Sequence, residues 1–420
     1  MSCTVFKSTN AVDQSINVFP IKDMISQIRV LRNPDSATPN KYEFYYPTAT
    51  LLKCVGGKFS TDGGLTYVTE ADIGGGTNFI FILDDGRDYA YIGWNNTDSL
   101  QGQNIGSGAY PDYSLGLHCE NAQVKSICAN SPLFNQPVNL WDLKNALSFE
   151  FAFSGCSSFN RTITNWNTSS AQSFKGLFQD CSKFNQDLSS LDSSKVYDFS
   201  LMLKSAYSFN KPLNFDMSNG LYFGNFLNGA KSFNQDLSSL NTSNAVEMQY
   251  FIAKSDFNAP FLQHTAKVQT FFATFAGCSK FNQPLNIDVS SCKDFTWMFN
   301  GASAFNQDIS NWNVKSGLIF TEMFTGALAF DQDLSKWCNK FNINADISRL
   351  FASSSLSVSN YDKFLNALWL DVGTTRAQEW ANRTASKILQ SDGLKYSQDA
   401  ANARNKLVGA GWTITDGGQA

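Results

Sequence analysis

The stretch FTWMFNGASAFNQDISNW, residues 295–312, decides the fold. Its Phe-Asn-Gln-Asp-Ile core recurs along the chain, with variation after the Phe. A second copy is FKGLFQDCSKFNQDL at 174–188. The anchor Phe falls at Phe134, Phe159, Phe184, Phe209, Phe233, Phe257, Phe281, Phe305 and Phe330. The steps are 25, 25, 25, 24, 24, 24, 24 and 25 residues. A period this regular marks a chain built of stacked units.

The other columns of the repeat carry physical content. Four residues after the anchor the chain is apolar in every copy, from Val138 to Leu334. Six before it stand Phe153, Phe178, Leu203, Leu227, Phe251, Phe275, Phe299 and Phe324, with Cys128 in the first copy. Ten before it the residue is Phe except at Val124 and Glu247, and three before it the residue is small except at Lys254. No single 25-residue unit buries that much aromatic surface, whereas stacked copies bury it against one another. A solenoid is therefore expected. The period suits leucine-rich repeats, not helical-pair repeats. Alternation in FNQDLSSL (184–191) favours strands there. Strand spacing of about 4.8 Å per turn gives an array roughly 40 Å long.

The residue after the anchor is Asn135, Asn160, Asn185, Asn210, Asn234, Asn258, Asn282 and Asn306, then Asp331. A stacked Asn column can satisfy backbone groups of neighbouring turns where the chain bends. The functional alternative is a sugar- or ion-binding column. Trp141, Trp166, Trp312 and Trp337 share a position that Leu191 and Leu240 also fill, which points to packing; a sugar-stacking platform is the alternative. Cys156, Cys181 and Cys278 stand in the small-residue column and read as small buried hydrophobes. The nine Cys are an odd number with no CxxC pair, so thiols from a reducing compartment are expected.

Residues 1–118 lie outside the repeat. YEFYY (42–46), GLTYV (64–68), NFIFIL (78–83) and DYAYIGW (88–94) read as strands between Gly- and Asp-rich turns, giving a small antiparallel β-domain. Its expected place is against the first turn of the array, joining a partner chain. Past 345 the repeat decays, and the next anchor is Ser357. The open end then needs a cap. Ser359 is the expected N-cap of a helix through Trp369, and Ser397 that of a helix over 398–408 ending before Gly409. GWTIT reads as a final strand. The chain is thus expected to be mainly β: an N-terminal β-domain (1–118), a solenoid of about nine 24–25-residue turns (119–356) and a small α/β C-terminal cap (357–420).

Composition narrows the function. The 420 residues hold 32 Lys+Arg, 36 Asp+Glu and 36 Phe, with net charge −4. Charged residues are 16%, against roughly 25% ordinarily. That balance speaks against nucleic acid or an anionic membrane as partner. No run approaches the length of a membrane span, and the N-terminus shows no basic-then-apolar secretory pattern. The two His are His118 and His264; His264 falls in the Trp/Leu column and reads as a packed variant. No GxSxG, HExxH or phosphate-loop pattern is present. No enzyme activity, cofactor or metal is expected.

The pattern F-x-x-x-F-x-G-(A/C)-x-x-F-N-Q-(D/P)-(I/L)-S-x-W, closest at 295–312, resembles the BspA-type leucine-rich-repeat surface proteins with mycoplasma-lipoprotein-type repeats. SVSNYDKFLNALW (357–369) and LKYSQDAANARNKLVGAGWTITDGG (394–418) resemble the cap of the same family. The resemblance implies a right-handed leucine-rich-repeat-like solenoid and a role in surface attachment. Related repeats occur in phage-encoded proteins, which need no export signal. The expectation is a virion structural protein, tail-fibre-like or another exposed appendage. Its partners would be other virion proteins through the N-terminal domain and a host surface protein or glycan, with no nucleic acid and no membrane insertion. The alternatives are a bacterial cell-surface adhesin and a purely architectural capsid or tail component.

Overall fold

The computed structural model describes residues 143–420 continuously. Before them it describes 26–31, 41–46, 50–55, 57–62, 65, 67–73, 77–83, 89–94, 101–102, 115–119, 124–125, 128–130, 132, 134–135, 138 and 141. In the N-terminal part nine strands pair: β1 (Ser26–Leu31), β2 (Lys41–Tyr46), β3 (Thr50–Val55), β4 (Gly57–Ser60), β5 (Glu70–Ile73), β6 (Thr77–Leu83), β7 (Tyr89–Trp94), β8 (Gln101–Gly102) and β9 (Leu115–Cys119). They form a five-stranded sheet, β5-β3-β7-β1-β9, and a four-stranded one, β4-β6-β2-β8. All pairings are antiparallel. Three of the four expected strands coincide with β2, β6 and β7. At 64–68 the described residues form only a single bridge, Val68 to Phe59. The expected contact between 1–118 and the first coil falls on residues outside those described.

From 148 onward each coil pairs with the next through one parallel bridge. The series runs Ser148, Ser173, Asp198, Tyr222, Glu247, Thr270, Asp294, Ile319, Asp346. Alternate amides then point along the stack. Phe149 N–H donates to Ser173 O (3.0 Å), Phe151 to Lys175 (2.8 Å), Phe153 to Leu177 (3.0 Å) and Gly155 to Gln179 (2.8 Å). The amides between them close tight turns, as Ala152 to Phe149 O and Cys156 to Phe153 O. The third residue of each such turn lies at positive φ, as at Phe151 (55°) and Gly155 (77°). This arrangement is a turn ladder, with single-residue bridges in place of strands. The expected strand at 184–191 does not form: no backbone ladder pairs it, and the chain turns at 189–190. The reason is a side chain: Asn185 N–H bonds Asn160 Oδ1, so no carbonyl partner is taken there.

The stack corrects three column assignments. Met248, not Glu247, donates to the next coil as Phe223 and Phe271 do, and it is buried. Ile252, not Phe251, is equivalent to Leu227 and Phe275 in the same ladder. Ser255, 2% exposed, takes the small-residue slot assigned to Lys254. One cause explains all three: a single residue, Asp256, separates the small position Ser255 from the anchor Phe257, where other coils have two, as Ser279 and Lys280 between Cys278 and Phe281. The sequence here is one residue out of register with a fixed-offset alignment. His264 is also corrected. It is exposed, and its neighbour Leu262 is buried instead.

The last coils run into a cap made of α1 (Val358–Leu370), α2 (Ala377–Ala381), β10 (Ile388–Ser391), α3 (Gln398–Gly409) and β11 (Thr413–Asp416). A π-helical turn, Asp371–Thr375, links α1 to α2. The N-cap of α1 is Ser357, not Ser359. Ser357 is extended (φ −65°, ψ 156°) and its side chain accepts from Asn360 N–H. Ser397 caps α3 as expected, accepting from Asp399 N–H at 3.1 Å. Gly409 lies inside α3, and the chain reverses at Gly411 (φ 91°). β11 pairs parallel with β10, a strand the sequence pattern did not mark.

Candidate functional site

The anchor rings form one continuous column. Successive centroids from Phe134 to Phe330 lie 5.7, 5.9, 6.0, 5.9, 6.2, 5.8, 5.9 and 5.9 Å apart. This is the offset-stacking range. Phe134 is 2% exposed and the other eight anchors 0%. Five anchors also stack on the Phe six residues earlier in their own coil, as Phe305 on Phe299 at 4.0 Å.

Directly outside this column runs a side-chain ladder. The N–H of Asn160, Asn185, Asn210, Asn234, Asn258, Asn282 and Asn306 each donates to Oδ1 of the Asn one coil earlier, at 2.7–3.0 Å, beginning with Asn135. Asp331 N–H continues it on Asn306, and Ser357 N–H ends it on Asp331 Oδ1 at 2.8 Å. The following Gln reaches back to the same rung: Gln186, Gln235, Gln283, Gln307 and Gln332 donate Nε2 to the preceding Asn Oδ1. The Oδ1 atoms are thus occupied by protein donors, which accounts for an amide at this position without any ligand.

The Trp column is internal. Trp166 Nε1 donates to Val138 O (3.0 Å) and Trp337 Nε1 to Ile309 O (3.0 Å). Trp141 stacks on Trp166 at 6.0 Å, and Trp312 on Trp337 at 6.1 Å. With 0–6% exposure these rings offer no face to a sugar. The cysteines are buried thiols: Cys156, Cys181 and Cys278 point Sγ at a carbonyl of the preceding coil, at 2.9–3.1 Å. That bond explains why Cys alternates with Ala in a small slot. Burial pushes Cys278 up to about 11 and Cys292 up to about 12, and raises Cys128, Cys181 and Cys338. A buried hydroxyl ladder went unread in the sequence. Thr168, Ser193, Thr242 and Thr265 donate to carbonyls of the next coil at 2.6–2.9 Å. Its signal was present as Asn/Asp followed by Thr/Ser in NTS (167–169), DSS (192–194) and NTS (241–243).

The carboxylates of the coils cap turns. Asp187, Asp236 and Asp308 accept the backbone and side-chain hydrogen bonds of Ser189, Ser238 and Ser310, which hold them below the ordinary carboxylate range. Carboxyls so tuned stay ionised, the opposite of a general acid. Among the described residues no group of three His, Cys, Asp or Glu could hold a metal ion, and no helix is long and apolar enough to cross a membrane.

What distinguishes one side of the coils is aromatic surface. In 143–356 the aromatic residues that are not buried are Phe151, Tyr197, Tyr207, Tyr222, Tyr250, Phe272 and Trp297. All but Tyr207 lie on the bridge-and-turn segment (147–155 and its equivalents). Tyr250, Phe272 and Trp297 form a run with centroids 5.1 and 5.4 Å apart. Trp297 Nε1 donates to Glu322 Oε2 (3.1 Å), and Arg349 Nε donates to Glu322 Oε1 (2.8 Å).

These features define a repeat protein of 24–25-residue coils, joined by backbone and side-chain ladders and closed by an α/β cap. The chain belongs to the family described as "Mycoplasma protein of unknown function, DUF285", which matches residues 122–219, 213–264 and 262–364, more than half of its length. Compared with curated proteins and with solved structures, it matches none.

Proposed function

We propose that the chain is a right-handed, leucine-rich-repeat-like solenoid and a non-enzymatic virion protein of the BspA-like kind. In this reading it is a tail-fibre-like or other exposed appendage that attaches a particle to a host surface. Residues 1–118 join it to other virion proteins, the coils present a recognition face, and 357–420 close the far end. The observation that carries the reading is that six of the seven non-buried aromatics of 143–356 gather on the bridge-and-turn segment, while the Asn positions bond one another. Low charge and buried thiols agree with it.

An antibody against residues 357–420 tests the location. Purified particles from the strain that carries the gene should be labelled, and a chain lacking 1–118 should be missing from them. Label on the bacterial surface with none on particles would replace this reading with an adhesin. Label on particles that still attach normally without the protein would make it architectural.

A further inference from the structure

The coil that ends at Phe257 is built one residue short. From its first ladder donor, Met248, to the anchor it counts nine residues, where the seven other coils with anchors from Phe159 to Phe330 count ten, as Phe271 to Phe281. The other 24-residue steps are taken up outside this segment, so only here does the shortening fall on the turn beside the anchor.

The hydrogen bonds show what the missing residue carried. In the seven regular coils the anchor N–H donates to the small residue, and the small residue's N–H to the carbonyl three earlier, as Phe281 to Cys278 O (3.0 Å) and Cys278 to Phe275 O (3.0 Å). Phe257 and Ser255 make neither backbone bond; the Ser255 hydroxyl takes Ile252 O instead, at 2.6 Å. The loss crosses to the next coil. Elsewhere the residue before the anchor donates its N–H to the preceding coil, as Ala304 to Ser279 O (3.2 Å), but Lys280 does not, because the residue that would accept is the one missing. The Lys280 side chain reaches the Asp256 carboxylate at 2.7 Å, yet both partners are more than half exposed, and such a pair contributes little. The ring column opens here too: Phe233 to Phe257, at 6.2 Å, is its widest step. A backbone N–H left without an acceptor weakens the place where it sits. In a stack each coil is held only by its neighbours, so a weak coil divides the stack. From the short turn and the lost bonds we infer that 248–257 is a seam built into the array. It opens before the coils on either side, which stay folded as two blocks. An extended molecule can then bend at one joint without unfolding.

Hydrogen exchange on the full chain, read by mass spectrometry, tests this without any substitution. Peptides covering 248–257 should exchange at least about tenfold faster than those covering 223–233 and 295–305, the weight of roughly one lost backbone hydrogen bond. Inserting one Ser between Ser255 and Asp256 restores the ten-residue count. It should bring the seam to the rate of its neighbours and raise the thermal midpoint. The same insertion between Ser279 and Lys280, in a regular coil, should lower the midpoint. Uniform exchange along the coils would overturn the seam, as would opening that begins in another coil. An insertion at Ser255 that leaves the rate unchanged, or that unfolds the chain, would show that the short turn is not the weak point and overturn it as well.

Discussion

Phe233 sits midway in the anchor column, 5.9 Å from Phe209 and 6.2 Å from Phe257, and is fully buried. Phe233→Ala removes a ring from both stacks and leaves a cavity that fixed coils cannot collapse. Chemical denaturation should show a loss of about 3–5 kcal/mol; a loss under 1 kcal/mol would mean the column contributes little. Asp331 is the rung where the ladder changes from Asn to Asp, because its acceptors face the N-terminus of α1. Burial pushes its carboxyl up, but hydrogen bonds from Ser357 and Asn360 and the charge of Lys363 outweigh that and hold it low. A depressed carboxyl stabilises the fold above its unfolded value of about 3.9, and the contribution fades as pH falls below that. Asp331→Asn should therefore lose less thermal stability than wild type between pH 7 and pH 3. Equal loss in both proteins would remove Asp331 from the account. The thiols make a third residue-scale expectation. Iodoacetamide should leave the seven described buried cysteines unlabelled in the native protein and label them after unfolding without reductant, since burial keeps the reagent from their sulfurs. Recovery of disulfides among them would contradict the packing.

At the scale of elements, the cap is tied to the coils through Asp371. Arg376 Nε and Nη2 donate to its carboxylate, at 2.7 Å for the shortest bond, and Trp380 Nε1 donates at 2.7 Å. The same guanidinium reaches Phe341 O (2.8 Å) and Cys338 O (3.0 Å) of the last coils. Arg383 adds a second strap, bonding Ile343 O and Ala345 O while lying over Trp380 and Trp412. Removing one member of a buried pair leaves the other charged and unpaired, which costs about 3–5 kcal/mol. Arg376→Ala should lower the melting midpoint and make 357–420 the first region cut by limited proteolysis. Proteolysis starting inside the coils instead would show that the strap is not what holds the cap.

For the whole molecule, stacking solves burial along the array and leaves its end open. The cap covers that end: Phe364 meets Phe351 at 4.9 Å and Phe341 at 6.4 Å, and Tyr361 meets Phe351 at 6.5 Å. A chain ending at 356 should aggregate where the full chain is monodisperse by light scattering, because Phe341 and Phe351 lose their cover. A monodisperse truncated chain would show that the coils seal themselves. Much of this was legible beforehand. The anchor spacing placed every Phe of the column, and the loss of the anchor at Ser357 marked where a cap begins. The column reading went wrong at Glu247, Phe251 and Lys254, because a fixed offset cannot see a missing residue that the next coil's hydrogen bonds absorb.

The sequence by itself determined the period, the buried Phe column and the Asn column, because each is a residue type repeated at one spacing and stacking repeats its surroundings. It also determined the helix over 398–408 from Ser397, since capping is local. Only the tertiary structure decided how the units join. Single bridges and turns at positive φ replace strands, because alternate amides bond across coils while the others close turns. It decided as well that the four Trp face inward and that Tyr250, Phe272 and Trp297 meet outside. Those three stand 22 and 25 residues apart in the chain, and only the stack brings them to one face.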